Sequence, residues 1–217
     1  MTEANRESAM PPRRRSQAER RDEMRRLVAT AAFEEIAEHG HSEFRTAAVF
    51  KRAGVSKGGM QHHFPTKDDL TLLAVEHGLE QSAKVTRQFL EAAASSVEEL
   101  VELIFEDLLS YFGDDRFWVT LDITIHASKN GGLAEAIHRM VSDYRAPVYE
   151  RWAERLVQFG WSPARADAAV KMATALVSGS AIRFLWTQEK PLPELQELWR
   201  RSILSISDAP NNASSPL

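Results

Sequence analysis

The sequence predicts an all-α fold, and three observations carry that expectation. Apolar residues recur at helical spacing, as in Val28, Ala29, Ala32, Phe33 and Ile36. Helix starts and stops punctuate the chain: Thr66 with Asp69, Ser96 with Glu99, and Ser162-Pro163 read as starts, while Gly40, Gly113 and Gly160 read as stops. No β signal of any length and no internal repeat is present. The expected architecture is a three-helix N-terminal unit followed by a larger helical bundle.

The chain has 217 residues, enough to bury a core without covalent staples. It contains no cysteine, which excludes disulfides, thiolate metal sites and cysteine nucleophiles. No uninterrupted apolar run reaches the roughly 18 residues of a membrane span. The N-terminus has basic residues with no apolar segment after them, unlike a secretory signal. A cytoplasmic location is expected, with no membrane partner. Net charge is −4, but residues 1–70 carry 13 Lys+Arg against 11 Asp+Glu, so the basic excess sits at the N-terminal end.

Residues 1–18 are polar, with Pro11-Pro12 and Arg13-Arg14-Arg15, and read as a disordered basic arm. Such an arm either reaches DNA or is a solvated tail. A helix over 19–39 follows, stopped by Gly40. Residues 47–53 form a short helix, and Gly54 supplies a turn that needs positive φ. Ser56 caps a second short helix running to about Phe64, and Pro65 ends it. Thr66 to Asp69 is a capping box for the next helix. Helix, glycine turn, helix is the helix-turn-helix, whose second helix enters the major groove. The bland alternative is an ordinary helical hairpin. Val49, Ala53, Val55, Met60 and Phe64 face the first helix, leaving Lys57, Gly59, Gln61, His62 and His63 outward.

The run AGVSKGGMQHHFPTKDDL, within the first third of the chain, resembles the tetracycline-repressor (TetR) family pattern. The resemblance implies that Gly59, Gln61 and His62 meet bases and backbone, and that Thr46, His63 and Lys67 meet phosphates. Lys57 and Gly58 complete the expected DNA-binding set. Gln suits bidentate pairing to adenine. Three departures stand out: Gln61 replaces an aromatic, Gly59 a Thr, and Phe50 a small Ala. The first two put any operator borrowed from relatives in doubt. The third implies an adjusted distance between the two short helices.

Further helices are expected over 67–94, 97–112, 115–129, 133–159, 163–188 and 193–207, with a polar tail from 208. Domain boundaries are accordingly set at 19–66 for DNA binding and 67–207 for ligand binding and dimerisation. Pro147 lies mid-helix and should kink it. The 163–188 helix is rich in small residues that permit close helix approach. Leu195, Leu198, Trp199 and Ile203 form a seam at 3-4 spacing. Ala173, Val177 and these four are the expected dimer interface, which the family resemblance places on the last two helices.

Enzyme constellations are missing. Glu135-Ala136-Ile137-His138 has di-iron spacing, but the second such motif is not there. No phosphate loop or nucleophile elbow occurs. No metal or cofactor is expected. Phe89, Phe112, Trp118, His126, Tyr144 and Phe184 are candidates for a small-molecule pocket, against plain core packing. Their aromatic character suits an apolar or aromatic effector. The functional expectation is a homodimeric repressor on a palindromic double-stranded operator, released by such an effector. Alternatives are a bundle that answers to a protein partner, or a helix-bundle enzyme.

Overall fold

A computed structural model describes residues 16–56, 58, 62–189 and 193–208. The expected arm at 1–15, the tail from 209, and Lys57, Gly59, Met60 and Gln61 of the recognition segment lie outside the described residues. Among the described residues the regular structure is helical throughout. The helices are α1 (Gln17–Glu43), α2 (Thr46–Arg52), α3 (Lys67–Glu91), α4 (Val97–Phe112), α5 (Asp115–Ala127), α6 (Gly131–Gln158), α7 (Pro163–Thr187) and α8 (Pro193–Asp208).

α1 begins earlier than the sequence suggests, because Ser16 and Glu19 form a capping box. Gly40 takes φ +77°, a left-handed stop. The chain then turns once more through His41–Glu43, and the Phe44 N–H donates to the Gly40 carbonyl at 3.1 Å. Gly54 has φ +68°, as its turn requires. α3 opens on the Thr66–Asp69 capping box. At α4 the expected box is altered. Ser96 accepts from the Glu99 N–H, but the Glu99 carboxylate reaches back to Ser95, accepting from its N–H and its hydroxyl at 2.7 Å each.

Two cores result. Val28, Ile36, Val49, Phe50, Leu70 and Leu79 anchor the first. Phe50 is buried there as part of that core. α1 packs tightly along α3 because Gly78 has no side chain: a Cβ there would come within 3.1 Å of the Phe33 ring. This core does not stop at Lys67. Val119 and Ile123 of α5 and Ile137 of α6 belong to it, so the start of the bundle is welded to the N-terminal unit.

The second core joins α4, the end of α6, α7 and α8 around Phe105, Trp152, Leu156 and Trp199. It takes up four of the six residues expected at the dimer interface. Ala173, Val177, Trp199 and Ile203 are buried within the subunit, turned toward α4. Leu195 is half-buried, and Leu198 alone of the six is exposed. The small-residue face and the 3-4 seam are core faces here. A hydrophobic seam reads the same in sequence whether its partner helix is in the same chain or another.

By length and composition alone α7 is also apolar enough to cross a membrane. Ala166, Ala169, Val170, Ala173 and Val177 account for one apolar face by core packing. α6 passes through Pro147 as one helix.

Candidate DNA-binding and effector sites

The short helix α2 is held on α1 by an ion-pair clamp. Arg52 donates to both carboxylate oxygens of Glu38, at 2.6 and 2.5 Å, and lies 3.2 Å from Glu35. Bidentate geometry makes this the strong form of the contact. The sequence hints at it only through Glu34, Glu35 and Glu38 on one helical face. Thr46, the first residue of α2, is half-buried, and Gly58, His62 and His63 are exposed. Phe64 packs against the first core, with the His63 ring 6.4 Å from it. Lys57, Gly59 and Gln61 lie outside the described residues, so their placement is not part of this geometry.

Lys67, expected to meet phosphate, also makes contacts within the chain. Its ammonium donates to the carbonyls of His41 and Ser42, at 3.0 and 3.3 Å, and sits 4.3 Å from the Phe44 ring centroid. Those carbonyls follow the Gly40 break and need a donor. The side chain is thus engaged in closing the end of α1.

The same corner joins the N-terminal unit to the bundle. The His41 N–H donates to Asp122 of α5 at 2.6 Å, and its ring faces the Thr71 hydroxyl at 3.1 Å. His126 lies 2.7 Å from the Ser42 hydroxyl and 3.0 Å from Asp122. The two imidazole rings are 5.5 Å apart. Burial, then the Lys67 ammonium and His126, hold the His41 pKa below its ordinary value. His126 is therefore a junction residue, turned toward α1 and away from the expected pocket.

A cavity of about 710 Å³ lies among α4, α5 and α6. Its walls include Tyr111, Phe112, Phe117, Ile137, Val141 and Tyr149, with Thr120, Thr124, His138 and Arg145 among the polar members. A second cavity of about 430 Å³ lies between α4, α5, α7 and α8, bordered by Phe112, Trp118, Phe184 and Gln196. Of the six expected pocket residues, Phe112 borders both cavities, and Trp118 and Phe184 border the smaller. Phe89, His126 and Tyr144 border neither. Phe89 packs on the second core and Tyr144 on the first, each drawn inward by its apolar ring. Arg145 had no sequence signal beyond its spacing from Tyr149: one arginine on a mixed helix reads as a solvated charge.

α6 runs from this cavity to the end of α3. Arg155 donates to the carbonyls of Phe89, Leu90 and Ala92, at 3.2, 3.1 and 2.7 Å, capping α3. Buried Asp107 of α4 accepts from Thr86 of α3 at 2.5 Å and from Trp152 of α6 at 2.9 Å. Three helices are therefore fastened at one carboxylate. Among the described residues no cluster of metal-ligating side chains occurs, and Glu135 lies 3.8 Å from Arg139 in an exposed ion pair.

Comparison with known proteins places this geometry. Residues 29–74 match the family described as bacterial regulatory proteins, tetR family. The HTH-type transcriptional regulator CymR of Pseudomonas putida is 35% identical over 198 residues, covering 91% of this chain and 96% of that protein. The chain belongs to the tetR family. This tetR-family protein is a DNA-binding transcriptional regulator. It is also 24% identical to the HTH-type transcriptional regulator BetI of Brucella canis, over 77% of this chain and 82% of that one. Its fold matches the transcriptional regulator FadR of Bacillus subtilis, solved in complex with stearoyl-CoA. The TM-score is 0.60 at 17% identity, over 84% of this chain and 97% of FadR. The match covers both halves of the molecule, so the two cores described above are those of a regulator fold.

Proposed function

We propose that this tetR-family regulator is a homodimeric, cytoplasmic repressor, released from a two-fold operator when a small molecule occupies the larger cavity. The single observation behind this reading is the position of that cavity. It opens against α6, and α6 caps the end of α3 through Arg155. α3 begins directly after the recognition segment. A ligand that prefers one placement of α6 therefore biases α3, and with it the spacing of two recognition helices. Operators fix that spacing, so a shift lowers affinity. The preference for one of two states is what the coupling requires.

The DNA contacts are proposed for Thr46, Lys57, Gly58, Gly59, Gln61, His62 and His63, with Lys67 acting by holding the end of α1. Selection from a random DNA pool should return a two-fold sequence. Its binding should weaken with salt along a log–log slope of several units. Gln61→Ala should lose about 1–3 kcal/mol at one base pair of each half-site. Binding without sequence preference would overturn the reading. So would a cavity ligand that raises the melting temperature yet leaves operator affinity untouched.

A further inference from the structure

Arg145 is 6% exposed and sits in the wall of the larger cavity. Its guanidinium carbon lies 4.4 Å from the Tyr111 ring centroid and 5.0 Å from that of Tyr149. Nε faces the Tyr149 hydroxyl at 3.4 Å. Nη2 is buried with no hydrogen-bond partner. Among the described residues no carboxylate pairs with this guanidinium, and none of the residues around the cavity is acidic. A buried cation without a counter-ion is held at a substantial energetic penalty. The two tyrosine rings offset part of it. They also hold the guanidinium in place as a planar fork, the group whose shape matches a carboxylate.

The other walls define the rest of the ligand. Phe112, Phe117, Ile137 and Val141 are apolar. The Thr120 and Thr124 hydroxyls already donate to the carbonyls of Arg116 and Thr120, at 2.7 Å each. Their hydrogens are thus used within α5. The Ser128 hydroxyl likewise donates to the Ile125 carbonyl at 2.7 Å, and Ser142 and His138 are further polar walls. Arg145 is the cavity's arginine, and a volume of about 710 Å³ holds a drug-sized molecule.

We infer that the effector is an organic monocarboxylate with an apolar body, its carboxylate paired with Arg145. This rests on the reading of the cavity as the effector site, and adds a charged head group to the apolar or aromatic body expected from the sequence. Ion pairing supplies selectivity here because the charge is already desolvated. An isosteric amide brings no counter-charge and leaves the guanidinium unneutralised. The acid also brings together the two faces that the cation now holds alone, the α4 ring of Tyr111 and the α6 ring of Tyr149.

The test uses the full-length protein and three acids, octanoate, 4-phenylbutyrate and 2-naphthoate, each beside its primary amide. Melting temperature and calorimetric titration read binding; fluorescence anisotropy reads operator release. At least one acid should bind about 10- to 100-fold more tightly than its amide. Arg145→Met should erase that preference. Arg145→Lys, which keeps the charge without the fork, should retain it in weakened form, and circular dichroism checks that both variants are folded. Acids and amides that bind alike overturn the inference, as does a full panel that fails to bind at millimolar concentration. A folded Arg145→Met that still prefers the acid does the same. An acid that binds through Arg145 without releasing the operator leaves the carboxylate site intact and overturns the effector reading. Release by the amides alone does the reverse.

Discussion

At the scale of single residues, two positions hold the molecule in ways that differ in legibility. Gly54 takes φ +68°, and a Cβ built there touches nothing within 4 Å. Its role is therefore conformational alone. Gly54→Ala should destabilise the protein by about 1–2 kcal/mol, the cost of a left-handed residue with a side chain. Urea denaturation checks this, and an unchanged midpoint would mean the turn adapts. The sequence shows this glycine plainly, since it sits between two short apolar helices. Asp107 is the opposite case. Nothing in its amphipathic surroundings marks it as buried, because its partners Thr86 and Trp152 lie on other helices. Asp107→Ala leaves a hydroxyl and an indole N–H unpaired in the core. A loss of about 2–4 kcal/mol follows from two orphaned donors. Arg145 is illegible for the same reason, since what makes it unusual is that no carboxylate among the described residues meets it in space.

At the scale of elements, helix positions were largely readable, because spacing and caps are local properties. Which face of each helix points inward was less so. α7 has small residues on several sides, so Ala173 and Ala175 look alike in sequence, yet the first is buried and the second exposed. The corner joining α1, α3 and α5 likewise depends on contacts across long separations, and it carries a pH dependence. His41 and His77 both have lowered pKa values, burial being the main cause in each. A group whose folded pKa is depressed binds its proton more readily when unfolded. Its stabilising effect is present above the ordinary histidine value of 6.5 and is lost as pH falls through the lowered one. Melting temperature should therefore drop between about pH 7.5 and pH 5, before most carboxylates titrate. His41→Gln should flatten part of that drop. A profile identical to the wild type would place the proton uptake elsewhere.

At the scale of the whole molecule, the burial pattern relocates the surface proposed for dimerisation. Ala173, Val177, Trp199 and Ile203 are used inside the subunit. The small and apolar residues left outside on α7 include Ala168, Ala175, Gly179, Leu185 and Trp186, beside the charged Asp167, Lys171 and Arg183, with Leu198 on α8. Trp186 is 76% exposed, Leu198 57% and Leu185 51%. Large apolar side chains this exposed, on helices that also offer small residues for close approach, fit a face that a second subunit covers. The two possible faces make opposite predictions. Ala173→Glu puts a charge into the second core and should unfold the protein. Ala175→Glu with Leu198→Glu touches only the outer face. That pair should leave the helical circular dichroism spectrum intact and give monomers by sedimentation. Operator affinity should collapse with it, because a monomer meets one half-site and loses the second contact held at high effective concentration. If the outer pair stays dimeric and binds the operator as before, the subunits meet through another surface. If the pair is monomeric yet keeps full affinity, the operator is read one half-site at a time, and the spacing argument for effector release falls with the dimer.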